Sequence, residues 1–192
     1  MSDQGPGIHK IRKGLELLLE GLGADQNDPH LEFTAQRAAV AWYSELCAGM
    51  TNKPPSVTTF PSDMDHMVVL RDIPIHSICA HHLLPFVGRA VIGYVPGRRR
   101  ILGVSKLARV ADHFARRLQV QENLTEQIAE AIVPHVVEGE HGGVAVLIRA
   151  HHMCMSLRGV KHPGDMVTST LRGVFRDATV RAEFMTLAFR KD

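Results

Sequence analysis

Apolar residues at helical spacing mark two helices near the N-terminus. They recur every three or four positions over 8–22, and Gly23 follows the last of them. A second helix is predicted over 35–48 by the same spacing. Residues 50–61 are rich in proline, threonine and serine, which is typical of a linker. We therefore predict an N-terminal helical arm and linker over 1–61.

Strand patterns and helical patterns follow each other in the rest of the chain. Alternating and continuous apolar positions predict strands over 64–78 and 86–95, and we expect Pro74 to interrupt the first. The later predicted elements are helices over 106–118 and 122–137, strands over 144–154 and 166–175, and a closing helix over 180–189. This order predicts an α+β domain over 62–192, in which two hairpins form an antiparallel sheet with helices on one face.

Composition narrows the class of protein. A chain of 192 residues can bury a proper core, and 45% hydrophobic with 22% charged residues is ordinary for a globular protein. The net charge of +2 is too small to indicate nucleic acid as a main partner. No apolar run is long enough to span a membrane, no leader pattern opens the chain, and the three cysteines lie far apart. We expect a cytoplasmic protein with no nucleic-acid or membrane partner.

Thiols and imidazoles occur together at two distant places. Cys79 is followed by His81 and His82, and His152 precedes Cys154 by two positions. Because side chains alternate along a strand, Cys79 and His82 can share a metal only if the chain turns between them. Two sulfurs and one imidazole are typical zinc ligands, and an open fourth position makes a water molecule reactive at neutral pH. The spacing favours Cys79, His82 and Cys154 as ligands, with His81 and His152 beside the metal.

The alternative is that the cysteines are small buried hydrophobic residues without a ligand. We adopt that interpretation for Cys47, which stands alone in a predicted helix. Near Cys79, two imidazoles would be costly to bury without partners, which favours a metal. The phosphate-loop, dinucleotide-binding, zinc-deaminase and His-Glu-x-x-His motifs are all missing from the sequence. Those classes of enzyme are therefore disfavoured.

Five motifs in a fixed order resemble GTP cyclohydrolase I. They are CAHHLLPF at 79–86, GVSKLAR at 103–109, RLQVQE at 117–122, HMC at 152–154 and RGV at 158–160. The resemblance runs from about residue 34 to the C-terminus. It implies the tunnelling fold and a homo-oligomer, a decamer of two stacked pentamers with active sites at subunit interfaces. It also implies that GTP and water become formate and 7,8-dihydroneopterin triphosphate, with Zn²⁺ held by Cys79, His82 and Cys154.

The same resemblance implies roles around the guanine base. His152 and His81 would shuttle protons, which suits an imidazole with an ordinary pKa of about 6.5. The carboxylate of Glu122 would accept hydrogen bonds from the N–H groups at the edge of guanine, and the amide of Gln121 would complete that contact. Without the resemblance, Glu122 is simply a first-turn glutamate favoured by the helix dipole.

Cations for the triphosphate are implied on three segments. Ser105, as a helix N-cap, and Lys106 form an anion site at a helix N-terminus, and Arg109 lies one turn further. Arg158 follows the second thiol segment, and Arg37 matches a Thr-Pro-x-Arg element that reaches into a neighbouring subunit's site. Taken alone, such residues are ordinary solvated surface charges.

The chain departs from the family pattern at three positions. Ala80 stands where a glutamate is common, which removes a negative charge near the metal. Ala35 replaces a proline, and His151 adds an imidazole. Two alternatives stay open: a tunnelling-fold relative acting on another purine or pterin, such as a nitrile reductase that needs a nucleophilic cysteine and NADPH, or a GTP-binding homologue without turnover, marked by Ala80.

Overall fold

The computed structural model describes residues 6–25 and 27–189. The helices are α1 (Pro6–Gly21), α2 (Thr34–Ala41), α3 (Ala48–Thr51), α4 (Val104–Ala115), α5 (Gln121–Val136), α6 (Met153–Ser156) and α7 (Ala178–Phe189). The strands are β1 (Thr59–Pro61), β2 (Val68–Cys79), β3 (Pro85–Val95), β4 (Arg100–Leu102), β5 (Leu118–Gln119), β6 (Gly143–His152) and β7 (Asp165–Gly173). A π-helical turn (Trp42–Leu46) joins α2 to α3, and a 3-10 turn (Val174–Arg176) follows β7.

The N-terminal arm differs from its prediction in detail. The first helix is confirmed, whereas the single second helix is wrong, because a π-helical turn divides it into α2 and α3. The backbone leaves helical geometry at Cys47, and Gly49 then lies against the main chain of α4, where its N–H donates to Arg116 O. A side chain at position 49 would collide with the carbonyl oxygen of His113. Glycine therefore permits the arm to pack against α4.

The predicted linker over 50–61 ends in a strand. Thr59, Phe60 and Pro61 form β1 and pair with β4 in an antiparallel two-stranded sheet. The guanidinium of Arg100 donates to the Thr59 hydroxyl at 2.7 Å. Strands of three residues carry no readable periodicity, so the sequence pattern did not show them. The division of the chain at residue 61 stays a prediction.

The main sheet has five strands in the order β5-β2-β3-β6-β7. All neighbours are antiparallel except the short parallel pair β2 and β5, which confirms the predicted antiparallel sheet. The interruption expected at Pro74 lies instead between Leu70 and Ile73, where the register shifts and Asp72 adopts φ 57°. Pro74 itself pairs with Arg89, because β2 is an outer strand there and a missing N–H is tolerated.

Helices α4 and α5 cover one face of this sheet, as predicted. Their core includes Leu107, Leu124 and Ile128, which are fully buried with residues of β2, β3 and β6. Helix α7 packs on the opposite face through Phe184 against Phe175. Strand β6 is thus buried on both faces, which explains its continuous apolar run. Within the described residues, no helix is long and apolar enough to cross a membrane.

Candidate metal centre

The first pair of candidate ligands lies where β2 ends and the chain turns into β3. The N–H of Leu83 donates to Cys79 O at 2.9 Å, and that of Cys79 donates to Leu84 O at 2.8 Å. Leu83 has φ 56°, a left-handed conformation that reverses the chain within a few residues. The turn required by the Cys79 and His82 spacing is therefore confirmed.

The second ligand segment corrects a prediction. We expected β6 to continue through Cys154, but the strand ends at His152 and the helical turn α6 begins at Met153. His152 still pairs with Phe86 of β3, so its position is set by the sheet. Cys154 is placed by one turn of helix, and the face-sharing expected of a strand does not apply to it.

These two segments bring three candidate ligands together. The ligand atoms of Cys79, His82 and Cys154 all lie within 4.8 Å of one another. Sulfurs bound to one zinc ion at about 2.3 Å lie about 3.8 Å apart in tetrahedral geometry, so the spacing fits such a group. Cys79 is buried, Cys154 is half-buried and His82 is exposed, so the group is open on one side. It could hold a metal ion.

The electrostatics of the thiols are consistent with a cation site. Burial raises the pKa of Cys154, the adjacent Cys79 thiol raises it further, and the charge of Arg158 lowers it. A divalent cation stabilises the thiolate form, and it therefore opposes the increases in pKa caused by burial and by the Cys79 thiol. His81 lies beside the group, with Nδ1 3.9 Å from the sulfur of Cys79.

His152 has a closely packed environment next to the ligand segment. The residue is only 8% exposed, and its ring stacks on Phe86, with 4.5 Å between ring centroids. Its Nε2 lies 2.7 Å from Oε1 of Gln121. Burial lowers the pKa of His152, although the negative charge of Glu122 opposes this, and His151 lowers it slightly more. A neutral imidazole of this kind can accept a proton near pH 7.

The first residues of α5 point to two different places. Glu122 is exposed and lines a cavity of about 430 Å³ together with Thr125 and residues 168–172 of β7. Gln121 is only 1% exposed, and its amide contacts backbone and side-chain groups of the core. The two residues are adjacent in the sequence motif, but their side chains leave the helix in different directions.

Sequence reasoning missed several polar and aromatic partners of this region. Phe86 supports the ring of His152, while Thr125 and Thr168 extend the contacts of Gln121. Thr125 lies four positions after Gln121, one helical turn away, which is a weak signal. The contact with Thr168 depends on how β7 packs against α5, and no local pattern shows it.

The predicted phosphate-binding residues of α4 lie on its surface. The helix begins at Val104, so Ser105 is in its first turn and is not its N-cap, a position that Gly103 takes. Ser105 is exposed and Lys106 is half-buried. Arg109 lines a separate cavity of about 370 Å³ with Lys53 and Arg116 among its other walls. Within the described residues, no hydrogen bond or ion pair joins these side chains to the thiol group.

The two other predicted arginines differ in their surroundings. Arg158 is exposed after α6, close enough for its charge to act on Cys154. Arg37 donates to Glu32 O at 2.7 Å and to the Thr34 hydroxyl at 3.0 Å, both within its own segment of the arm. Within the described residues, Arg158 therefore lies near the candidate site, and no hydrogen bond or ion pair joins Arg37 to it.

Comparison of the sequence with known proteins finds a matching family and several similar proteins. The sequence model of the family described as GTP cyclohydrolase I matches residues 11–188. A GTP cyclohydrolase 1 from Pelotomaculum thermopropionicum is 44% identical over 93% of this chain and 95% of its own length. Proteins of that name from Coxiella burnetii and Pseudomonas aeruginosa are 48% and 49% identical, over 92% and 90% of this chain and 96% and 93% of their own lengths. By fold, motifs and these similarities, the chain belongs to the GTP cyclohydrolase I family.

Proposed function

We propose that this protein converts GTP and water to formate and 7,8-dihydroneopterin triphosphate, with Zn²⁺ held by Cys79, His82 and Cys154. The observation that carries the proposal is the convergence of these three ligand atoms within 4.8 Å, in a chain of the GTP cyclohydrolase I family. When bound with one position open, zinc supplies an activated water as nucleophile for the guanine C8 carbon.

Proton transfer falls to histidines beside this group. His152 is held by Phe86 and Gln121, and its neutral ring can take a proton and return it as the purine ring opens and formate leaves. His81, next to Cys79 and exposed, is the second candidate for this role. Removal of either imidazole should slow turnover.

Recognition of guanine falls to Glu122. Its carboxylate can accept two N–H groups from the edge of the base, and it already lines the cavity between α5 and β7. The amide of Gln121, which we expected to complete this contact, is enclosed in the core, so we propose that Gln121 supports the site without touching the base. Ser105, Lys106, Arg109, Arg158 and Arg37 are proposed as the hydroxyl and cations that bind the triphosphate.

The proposed site needs more than one subunit. Within the described part of one chain, no strand pairs with the outer edge of β7, and β5 covers only the end of β2 at Ile78 and Cys79. Open edges of this kind favour pairing between subunits. We propose a homo-oligomer, a decamer of two stacked pentamers, in which Arg37 of one arm reaches a neighbour's site. The unpaired cysteines suit the cytoplasm.

A combined turnover and metal assay tests the function. The purified protein is incubated with GTP, and formate and a fluorescent oxidised pterin are measured before chelation, after chelation and after zinc is returned. We expect both products, their loss with the metal and their recovery with zinc. GTP binding without product would favour a homologue without turnover. NADPH-dependent reduction of a nitrile would favour the other relative.

A further inference from the structure

Gln121 lies at the centre of a buried hydrogen-bond network. Its Nε2 is 3.2 Å from Ile148 O, 3.2 Å from Met166 O and 3.0 Å from the hydroxyl oxygen of Thr168. Its Oε1 is 2.7 Å from Nε2 of His152. With 1% of its surface exposed, the side chain has no room to exchange these partners for others.

The hydrogens that these partners can donate, and the lone pairs with which they can accept, fix the orientation of the amide. Two of the three groups facing Nε2 are backbone carbonyls, which can only accept hydrogen bonds. The Thr125 hydroxyl donates to Gln121 O at 2.8 Å, so in its 2.6 Å contact with Thr168 the Thr168 hydroxyl donates. The oxygen of Thr168 is then an acceptor as well. An amide oxygen placed here would face three acceptors, so the nitrogen must occupy this position.

The orientation of the amide determines which nitrogen of His152 carries the hydrogen. Oε1 of Gln121 can only accept, so the 2.7 Å contact requires an N–H at Nε2 of His152. In the neutral ring, Nδ1 is then the nitrogen with a free lone pair. Nδ1 has no hydrogen-bond partner among the residues that the structure describes. The ring stacks on Phe86, with 7° between the two ring planes.

We propose that Gln121 is a positioning residue that holds His152 in its Nε2–H tautomer, so that Nδ1 is the nitrogen whose lone pair is left for another partner. This inference rests on the proposed function for its catalytic meaning. It gives Gln121 a role through His152, because both ends of its amide are occupied and neither is available to the base of a substrate.

The tautomer is measured directly by ¹⁵N NMR of sedimented protein labelled in its histidines. Spectra are taken at about pH 8, above the ordinary histidine pKa, with the His152→Asn variant identifying the signal. We expect a protonated Nε2 and an unprotonated Nδ1 in the unmodified protein. A protonated Nδ1 would overturn the proposal. This readout needs no turnover, so it stands even if the proposed function fails.

Kinetics of Gln121→Met test the catalytic consequence. Methionine has a similar volume but cannot accept from His152, so we expect kcat to fall about ten- to a hundredfold. The equilibrium affinity for GTP and the metal content should stay within about twofold, because the side chain does not touch the substrate. The matched control is Thr168→Val, which leaves both carbonyls to orient Gln121 and should keep the Nε2–H signal.

Two outcomes of the kinetic test would contradict the proposal. Weaker GTP binding with an unchanged kcat would show that Gln121 contacts the base. An unchanged kcat in Gln121→Met, with a folded protein by circular dichroism, would show that the tautomer does not matter. If Gln121→Met does not fold, the ¹⁵N spectrum of the unmodified protein still decides the tautomer.

Discussion

At the scale of single residues, the candidate site is built from two thiols and the imidazoles beside them. The thiols lie together, and burial raises the pKa of Cys154 above its ordinary value. A metal ion makes that arrangement favourable, because both sulfurs can then ionise. The proposed chemistry therefore depends on keeping all three candidate ligands.

Replacing one thiol tests that dependence. Cys154→Ala leaves two protein ligands, so we expect loss of bound zinc and of turnover together, with turnover reduced at least a hundredfold. Zinc per chain is measured by elemental analysis, and turnover by formate release. Cys47→Ala, in the arm, is the matched control and should keep both. Full zinc content in Cys154→Ala would refute the ligand assignment.

A second buried histidine lies outside the site and makes stability depend on pH. Nε2 of His113 is 2.7 Å from a guanidinium nitrogen of Arg117, which can only donate, so His113 must be neutral there. Burial lowers the pKa of His113, Arg117 lowers it further, and Asp112 opposes them. The unfolded chain therefore binds this proton more readily than the folded chain does.

The sign of this effect gives a prediction for His113→Gln. Stability from neutral His113 is present above the unfolded pKa of about 6.5 and is lost as the pH falls below it. We expect the melting temperature of the unmodified protein to fall more steeply between about pH 7.5 and 5.5 than that of the variant, whose amide can still accept from Arg117. His135→Gln is the control and should keep the original slope. Parallel curves for His113→Gln would contradict the prediction.

At the scale of elements, the ends of strands matter most for the site. β2 ends at Cys79, β6 ends at His152, and each is followed at once by a tight change of direction. β7 ends similarly at Gly173, which has φ 59° and ψ −135°. A side chain there would collide with Gly142 O. Glycine is therefore required to close this end of the sheet and to start the turn that holds Phe175.

A pair of identical substitutions tests this requirement. Gly173→Ala should lower the free energy of unfolding by about 2 kcal/mol or more, since the conformation is nearly restricted to glycine. Gly14→Ala, in α1, should raise it by about 0.5–1 kcal/mol, because no heavy atom within 4 Å opposes the new methyl group. Denaturant unfolding measures both. Equal effects of the two changes would show that backbone geometry at position 173 is not limiting.

The long elements and the ligand types were predictable from the sequence, and their connections were not. Apolar residues at regular spacing predict α1, α5 and β2, and a continuous apolar run predicts β6, because each pattern extends over enough residues to be detected. The two-residue strand β5 and the four-residue helix α6 have no period to detect. The cysteines and histidines indicated a metal site because they occur close together within two short segments of the sequence. The role of Gln121 depends on carbonyls of β6 and β7, which only tertiary packing brings to it.

At the scale of the whole molecule, one chain carries an incomplete set of the proposed substrate contacts. Arg37 donates hydrogen bonds within its own arm, while the thiol group lies at the ends of β2 and β6. The open edge of β7 offers a place for another subunit. We therefore propose that the site is shared between chains.

Mixed assemblies test whether the site is shared. Arg37→Ala and His152→Asn are each expected to lose most activity when expressed alone. Co-expressed in equal amounts, they should recover up to about a quarter of the unmodified activity, because random assembly gives some sites both native residues. Formate release by the purified mixture is the measurement. Activity no higher than the mean of the two variants would contradict a site built from two chains.

The group formed by Cys79, His82 and Cys154 lies between the turn of the first hairpin and the end of β6. An ion bound there acts as a removable clamp between segments that are distant in the chain, and its binding energy adds to folding by mass action. Starving a cell of zinc would then weaken the architecture of the protein along with its chemistry.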